Sequence, residues 1–177
     1  RKAVVAILMG SDSDWPVLEP AATVLKDFGL SSDVRVLSAH RSPAQLRQYV
    51  ERASRQGTAV FIAAAGGAAH LAGAVAAHTI RPVIGVPVSI PPLNGLDSLL
   101  STMQMPRGVP VATVAIGNAA NAAILAVQIL AVHDAGLRAR LTTYKRALTQ
   151  KCLQADRALQ KRISRPAERS VRRDGRA

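Results

Sequence analysis

The sequence predicts a doubly wound α/β fold, with helices on both faces of a parallel sheet. Short, continuously apolar runs alternate five times with stretches of helical periodicity, a pattern typical of buried parallel strands joined by crossover helices. Polar or glycine-bearing turns follow the first three apolar runs, where folds of this class bind ligands. A length of 177 residues fits one domain with a substantial core. We therefore expect three layers and a five-stranded, flavodoxin-like sheet in the order 2-1-3-4-5.

The predicted elements follow in order along the chain. The strands cover residues 3–9, 34–38, 59–65, 83–88 and 111–116. The helices cover residues 15–28, residues 43–56, the stretch from the Gly66 turn to residue 79, residues 96–103 and residues 118–132, and a final charged helix covers 135–163. Local signals support several of these ends, because Ser42-Pro43 is typical of a helix start, and Gly29 and Gly57 suit helix C-caps.

The positive charge of the chain is concentrated at its C-terminal end. The net charge is +12, yet residues 1–137 carry ten Lys/Arg against eight Asp/Glu, whereas residues 138–177 carry thirteen against three. No aromatic residue follows Tyr144, so the basic stretch offers no stacking platform for nucleic acid. We predict a single α/β domain over residues 1–163, including the final helix, and a basic, disordered tail over residues 164–177.

Composition excludes several further classes of protein. No apolar run reaches the length of a membrane helix, and no secretory leader is recognised. Cys152 is the only cysteine, which excludes an intramolecular disulfide and disfavours a cysteine-based metal site. The expected compartment is therefore the reducing cytoplasm, and no membrane or nucleic-acid partner is predicted.

The stretch Ser38-Ala39-His40-Arg41-Ser42-Pro43 holds the first candidate functional residues. It lies at the carboxyl end of a strand that we expect to be buried, and a helix begins directly after it. A histidine can exchange protons near neutral pH, and an arginine can bind an anion through two parallel hydrogen bonds. Taken alone, the stretch fits equally well with an ordinary turn carrying one exposed histidine and one solvated arginine.

The loop Gly10-Ser11-Asp12-Ser13-Asp14 follows the first strand and precedes a helix. Its backbone N–H groups and two hydroxyls are of the kind that cradle phosphate at a helix N-terminus. It lacks both the lysine of a Walker loop and the glycine pattern of dinucleotide-binding folds. Asp14 can accept hydrogen bonds from a ribose diol, although Ser13 or Asp14 can equally be a simple helix cap.

The turn Gly66-Gly67-Ala68-Ala69-His70 follows the third strand. Its small residues allow backbone to lie close to a flat ligand. We expect His70 one turn into the next helix, where it points either to a ligand or into a neighbouring element. The four histidines of the chain are not spaced as metal ligands, so no metal site is predicted.

Several ordered motifs together resemble one enzyme family, the class I N5-carboxyaminoimidazole ribonucleotide mutases, which form the catalytic subunit of phosphoribosylaminoimidazole carboxylase in purine biosynthesis. The resemblance covers residues 4–141. It rests on Met9-Gly10-Ser11-x-Ser13-Asp14-Trp15, Ser38-Ala39-His40-Arg41-Ser42-Pro43, Ala65-Gly66-Gly67-Ala68-Ala69-His70-Leu71, Gly85-Val86-Pro87-Val88, Gly95-Leu96-Asp97-Ser98-Leu99, Gln104-Met105-Pro106-Arg107-Gly108 and Asn121-Ala122-Ala123.

The resemblance implies an isomerase that needs no cofactor and no metal, forms homo-octamers, and moves a carboxylate from the exocyclic nitrogen of an aminoimidazole ribonucleotide to ring carbon 4. It implies that His40 carries the proton and that His70 shapes the carboxylate pocket with the Gly66 turn. It also implies coupling to the ATP-dependent carboxylating enzyme of the same pathway. The implied substrate-binding residues are Ser11, Ser13 and Arg41 for the 5′-phosphate, Asp14 for the ribose, and Ser38, Gly66 and Leu71.

Some residues depart from the family pattern. Ala64 and Ala112 stand at positions where the family has Gly, and Ala72 stands where it has Pro. The connection at residues 118–120 is two residues short. None of these changes removes an implied catalytic group. Two other hypotheses stay open at this point: a non-catalytic nucleotide-binding or regulatory domain on the same fold, and a nucleic-acid binder that acts through the basic tail.

Overall fold

The computed structural model describes residues 4–164 of the chain. Five parallel strands form one sheet in the order β2-β1-β3-β4-β5, which confirms the predicted fold class and strand order. The strands are β1 (Val5–Met9), β2 (Ser32–Val36), β3 (Val60–Gly66), β4 (Val83–Val88) and β5 (Ala112–Thr113).

Six α-helices connect or follow the strands. They are α1 (Trp15–Asp27), α2 (Pro43–Gln56), α3 (Leu71–Ala76), α4 (Leu96–Met103), α5 (Ala119–Ala131) and α6 (Ala135–Ile163). A single 3-10 turn, Asp12–Asp14, precedes α1. The bounds of β4, α4 and α6 are those that the sequence predicts.

The core lies on both faces of the sheet. All residues of β1 and β4 are buried, and their side chains alternate between the faces. On one face, the side chains of α2 and α3 pack against Ala6, Leu8, Phe61 and Ala63. On the other face, α1 and α5 pack against each other and against the sheet. This arrangement leaves the carboxyl ends of the strands as the open edge.

The second strand differs from its prediction in position and in burial. It pairs with β1 from Val5 opposite Ser32 to Met9 opposite Val36, so it begins and ends two residues early. The pairing ends there because β1 itself ends at Met9, the register partner of Val36. The expectation of a buried strand is wrong: β2 is an edge strand, and Val36 is 53% exposed.

The third helix and the fifth strand are shorter than predicted. Helix α3 begins at Leu71, so His70 lies at its N-cap and not one turn inside the helix. The helix ends at Ala76, and only two residues of β5 pair with β4. Short apolar runs carry little information about their own ends, because pairing and packing with neighbours decide how far a strand or helix continues.

Small residues bring α4 close to the sheet. Gly85 of β4 is buried, and a Cβ at this position would overlap Thr102 of α4 and lie 2.9 Å from Val111 Cγ1. Glycine is therefore required at this position by packing, since its φ angle is not in the left-handed region. The close approach places α4 beside the carboxyl ends of β3 and β4.

The contacts of the chain divide it into two units, Arg1–Arg138 and Ala139–Ala177. Of the residues in α6, only Leu137 is buried, and Leu148, Leu153 and Leu159 are exposed.

None of the helices within residues 4–164 combines the length and apolar character needed to cross a bilayer. The predicted tail, apart from Ser164, lies outside the described residues.

Candidate active site

The carboxyl ends of β1, β2, β3 and β4 surround one cavity of about 340 Å³. This size is within the range of sites for small molecules. The strand order predicts the location of this cavity. From β1 the chain adds β2 on one side of the sheet and β3 on the other, and the turns after β1 and β3 flank this switch point. The cavity is lined by Gly10, Ser11, Ser13, Asp14, Ser38, Ala39, His40, Arg41, Ala65, Gly66, Ala68, His70, Leu71 and Ile90.

The loop after β1 is a compact turn whose polar groups bind each other. Ser11 Oγ accepts a hydrogen bond from the Ser13 N–H (3.3 Å), and Asp14 Oδ2 accepts one from the Ser11 N–H (3.3 Å). The Ser13 hydroxyl donates to Ser11 Oγ (2.9 Å). Ser11 and Asp14 thus form a reciprocal capping box on the 3-10 turn. The simple helix cap that the sequence left open is not made at α1, because Asp14 occupies its N-cap without a side-chain capping bond. The two hydroxyls still line the cavity, where an anion can replace their mutual contact.

Burial raises the pKa of the Asp14 carboxyl, and the nearby Asp12 acts in the same direction. The hydrogen bond from the Ser11 N–H and the charge of Arg41 act against this rise, but they are weaker. The raised pKa shows that this carboxylate is poorly solvated in the folded chain. Such a group gains from hydroxyl donors that a ligand brings into the cavity.

The turn after β2 is held by serines. Ser38 Oγ accepts hydrogen bonds from the N–H groups of His40 (3.3 Å) and Arg41 (3.1 Å). Ser42 occupies the N-cap of α2, but its hydroxyl donates to Ser38 O (3.1 Å) and does not cap the helix. These bonds hold the backbone of His40 and of Arg41 in the turn. The turn therefore determines where the two side chains begin.

Arg41 connects the first two loops. Its Nη2 donates to the backbone oxygen of Gly10 at 2.6 Å, although Arg41 itself is exposed. One bond uses only part of a guanidinium, which has five N–H donors. Arg41 lines the same cavity as the hydroxyls of Ser11 and Ser13. The result is a positively charged, donor-rich end of the cavity above β1 and β2.

The two histidines of the cavity contact each other. His40 Nε2 lies 2.8 Å from His70 Nδ1, and the rings are almost perpendicular, with an interplanar angle of 84°. At this distance one nitrogen donates a proton and the other accepts it. The two histidines thus join the turn after β2 to the turn after β3 by a direct hydrogen bond.

The turn after β3 is held from the outside by α4. Gly67 adopts a positive φ of 62°, and its N–H donates to Ser98 Oγ (2.8 Å). The fully buried Ser98 hydroxyl donates in turn to Val88 O (2.7 Å). Ser101 Oγ accepts from the Ala69 N–H (3.0 Å). Two serines of one helix thus shape the turn that carries His70.

The structure places all nine candidate residues predicted from the sequence at this cavity. Sequence reasoning did not identify Ile90, which also lines it, or the supporting serines of α4, Ser98 and Ser101. Ser98 falls in a motif that the sequence analysis quoted, but its role depends on contacts some thirty residues away along the chain. Arg107, which belongs to one of the motifs that carry the resemblance, is not among the lining residues.

Within residues 4–164, no three His, Cys, Asp or Glu side chains come together as a metal site would require. The polar groups of the cavity are instead hydroxyls, a guanidinium, one carboxyl and two imidazoles. This set can bind an anion, bind a diol and transfer protons.

A family model described as AIR carboxylase matches residues 4–151, the greater part of the chain and all of the loops around the cavity. The chain belongs to the AIR carboxylase family. A member from Mycobacterium tuberculosis, N5-carboxyaminoimidazole ribonucleotide mutase, is 52% identical over 157 residues, which cover 89% of this chain and 90% of that protein. The mutase of Pyrococcus horikoshii is 50% identical over 85% of both chains.

Other members of the AIR carboxylase family show how far the similarity extends. Phosphoribosylaminoimidazole carboxylase of Saccharomyces cerevisiae is 54% identical over 143 residues, which are 81% of this chain but 25% of the yeast protein. The crystal structure of Treponema denticola PurE superimposes with a TM-score of 0.81 at 29% sequence identity, and the match covers 88% of this chain and 97% of that one. The fold is thus retained among members of low sequence identity.

Proposed function

We propose that this chain is an N5-carboxyaminoimidazole ribonucleotide mutase of purine biosynthesis, an isomerase in which His40 carries the proton. Two relatives with this name are at least 50% identical over at least 85% of both chains. The contact between His40 and His70, at the centre of a cavity with one cationic end, is the observation that supports the chemistry.

The cationic end suits the 5′-phosphate of the ribonucleotide. Arg41 and the hydroxyls of Ser11 and Ser13 offer charge-assisted and neutral hydrogen bonds from three directions. The N-terminal end of α1 adds the favourable field of the helix dipole. With the phosphate there, the raised pKa of Asp14 fits a carboxylate that gains hydrogen bonds from the ribose hydroxyls. Ser38, Gly66 and Leu71 would complete the contacts to the substrate.

The reaction requires one proton to move twice. In the first step the bond from the exocyclic nitrogen to the carboxylate carbon breaks, and its electron pair stays on nitrogen. Protonated His40 donates to that nitrogen, and carbon dioxide is released into the cavity. In the second step ring carbon 4 attacks the carbon dioxide to form a carbon–carbon bond. Neutral His40 then removes the proton from carbon 4, so the histidine ends in its starting state.

His70 is placed to orient the proton carrier. Its Nδ1 lies at hydrogen-bond distance from His40 Nε2, so it fixes the ring and the tautomer of its neighbour. It also stands next to the Gly66 turn, which we propose as part of the carbon dioxide pocket. A water-poor pocket would retain the carbon dioxide between the two steps.

Replacement of His40 by asparagine tests this assignment. Asparagine keeps some hydrogen bonding but cannot carry a proton, so kcat should fall by roughly two to four orders of magnitude, as for loss of a positioned acid–base group. Substrate binding should fall much less, because the phosphate contacts remain. The measurement is steady-state turnover of the carboxylated ribonucleotide, with circular dichroism to verify folding.

His70→Asn is the matched control, for which we expect a smaller loss of kcat. If folded His40→Asn kept a kcat within a factor of a few of the unchanged enzyme, His70 would become the candidate proton carrier. A chain that binds the ribonucleotide but never turns it over would instead be a non-catalytic nucleotide-binding domain.

We further propose that the enzyme works as a homo-octamer in the cytoplasm, in functional coupling with the ATP-dependent carboxylating enzyme that makes its substrate. We also propose that residues 1–163, including the final helix, form a single domain. In support of coupling, the matching region makes up one quarter of the yeast carboxylase. The assembly and its test are considered in the Discussion.

A further inference from the structure

The long loop after β4 carries Ile90, a side chain that lies directly on the glycine turn. A Cβ placed on Gly66 would be 3.1 Å from Ile90 Cγ2, and one placed on Gly67 would be 3.2 Å from Ile90 Cδ1. Ile90 therefore fills the space that the two glycines leave open. It also lines the cavity and remains 39% exposed, so one side of it packs on the turn while another faces the cavity mouth.

The strand order separates the cavity into a polar and an apolar end. Arg41 and the serine hydroxyls lie over β2 and β1, at one end. Over β3 and β4, at the other end, the lining side chains are apolar or absent: Ala65, Gly66, Ala68, Leu71 and Ile90. The pair of His40 and His70 lies between the two ends. A ligand held by its phosphate at the polar end thus directs its reacting ring toward the apolar end.

We propose that Ile90 is a specificity-determining residue, whose side chain closes the carbon dioxide pocket and commits the released carbon dioxide to ring carbon 4. This inference rests on the proposed function, which passes through free carbon dioxide. Carbon dioxide is uncharged and has no hydrogen-bond donor, so an apolar wall holds it while excluding the water that would hydrate it. Leu71 is buried in the core, so Ile90 is the large apolar side chain that remains partly exposed over the Gly66 turn.

An isotope-retention experiment tests the role of Ile90. The carboxylated ribonucleotide is labelled with 13C in its carboxylate and is converted in a buffer of unlabelled bicarbonate. The unchanged enzyme should transfer the label to the product, whereas Ile90→Thr should release labelled carbon dioxide and form decarboxylated ribonucleotide. The ratio of retained to released label should fall by more than the roughly three- to fivefold that one buried methylene is worth, because threonine lacks two carbon atoms of isoleucine and adds a hydroxyl.

Two further variants make the result decisive. Leu93→Thr makes the same kind of change in the same loop, at an exposed residue that does not line the cavity, and it should retain the label like the unchanged enzyme. Ile90→Val shortens the side chain without adding a polar group. It serves as the test if the threonine variant fails to fold, and its retention should fall by a smaller factor.

The possible outcomes separate this inference from the proposed function. Equal retention of label by folded Ile90→Thr, Ile90→Val and the unchanged enzyme would overturn the role of Ile90 and leave the mutase assignment intact. A parallel loss of retention in Leu93→Thr would also overturn it, because the effect would then belong to the loop as a whole. An unchanged enzyme that converts no substrate would contradict the proposed function itself.

Discussion

At the residue scale, Arg41 joins two of the loops that form the cavity. Its bond to Gly10 O uses one nitrogen of the guanidinium, and the side chain lines the cavity together with Ser11 and Ser13. A planar group with several fixed donors can hold a backbone oxygen and an anion together. A lysine ammonium is a single point charge, and it would have to give up one of these partners.

We expect Arg41→Lys to weaken binding of the ribonucleotide by about 1.5–3 kcal/mol, the worth of a hydrogen bond to a charged group. Calorimetric titration with the nucleotide and with the corresponding nucleoside measures the effect. The nucleoside should bind both enzymes alike, because it lacks the phosphate. Arg107→Lys, at an exposed site outside the cavity, is the control. Equal binding of nucleotide and nucleoside by the unchanged enzyme would contradict the phosphate assignment.

Asp14 is a residue at which function opposes stability. Because burial raises its pKa above the ordinary value of 3.8, the folded chain holds this proton more tightly than the unfolded chain does. The resulting contribution to stability is full below the unfolded pKa and is lost as the pH rises through the folded pKa. At neutral pH the ionised Asp14 carboxylate therefore lowers the stability of the folded chain.

Asp14→Asn should accordingly raise the Tm at pH 7 slightly, and the gain should disappear below pH 3.8, where aspartic acid is neutral in both states. Asparagine can still accept the hydrogen bond of the Ser11 N–H. Ribonucleotide binding should weaken, because a neutral oxygen is a poorer acceptor for the ribose hydroxyls. Thermal melts at the two pH values measure the first effect and titration measures the second. A lower Tm at pH 7 would show that the charge is stabilising.

At the element scale, α4 supports the turn after β3. The close packing that Gly85 permits brings Ser98 within hydrogen-bond distance of both Gly67 N and Val88 O. One buried hydroxyl thereby satisfies a donor of the turn and an acceptor at the end of β4. Loss of the hydroxyl would leave both backbone groups without this partner at a position where Ser98 itself is fully buried.

We expect Ser98→Ala to destabilise the protein by about 1–3 kcal/mol, the cost of an unsatisfied buried polar group. The KM should also rise, because the turn that contacts the substrate loses its support. Ser54→Ala is a matched control, since Ser54 pairs with Thr79 at a distance from the cavity and should affect the Tm but not KM. Denaturant unfolding and steady-state kinetics measure the two effects. An unchanged KM would limit Ser98 to a structural role.

At the scale of the whole molecule, exposed apolar side chains indicate contacts beyond one chain. Within residues 4–138, Leu96, Leu100 and Met103 are all more than 40% exposed and lie at helical spacing on α4. A stripe of this kind is typical of a surface that another protein covers. Since α4 supports the turn after β3, an interface there would bring the cavity of each chain close to a subunit boundary.

Light scattering at micromolar concentration should give eight times the chain mass of 18.6 kDa. Leu100→Glu should reduce that mass, because it places a charge in the α4 stripe. Glu19→Lys, at an exposed position of α1, should leave the mass unchanged. A monomer mass for the unchanged protein would contradict the octamer.

Much of the fold followed from local patterns in the sequence. The apolar runs of β1, β3 and β4 are buried on both faces, so each had to be a short central strand, and β4 and α4 were predicted to the residue. Where the sequence pattern failed, neighbours decided the outcome. The register with β1 ends β2 at Val36, and the place of β2 at the sheet edge leaves it half-exposed.

The sequence by itself determined the polar groups of the cavity, because each polar candidate residue stands close after an apolar run. The tertiary structure alone decided how those groups meet. The 2.8 Å contact between His40 and His70, the seat of Ile90 on Gly66, and the bond from Gly67 to Ser98 each join residues more than twenty positions apart. No local pattern encodes such contacts, because they depend on the order of the strands and on the register in which they pair.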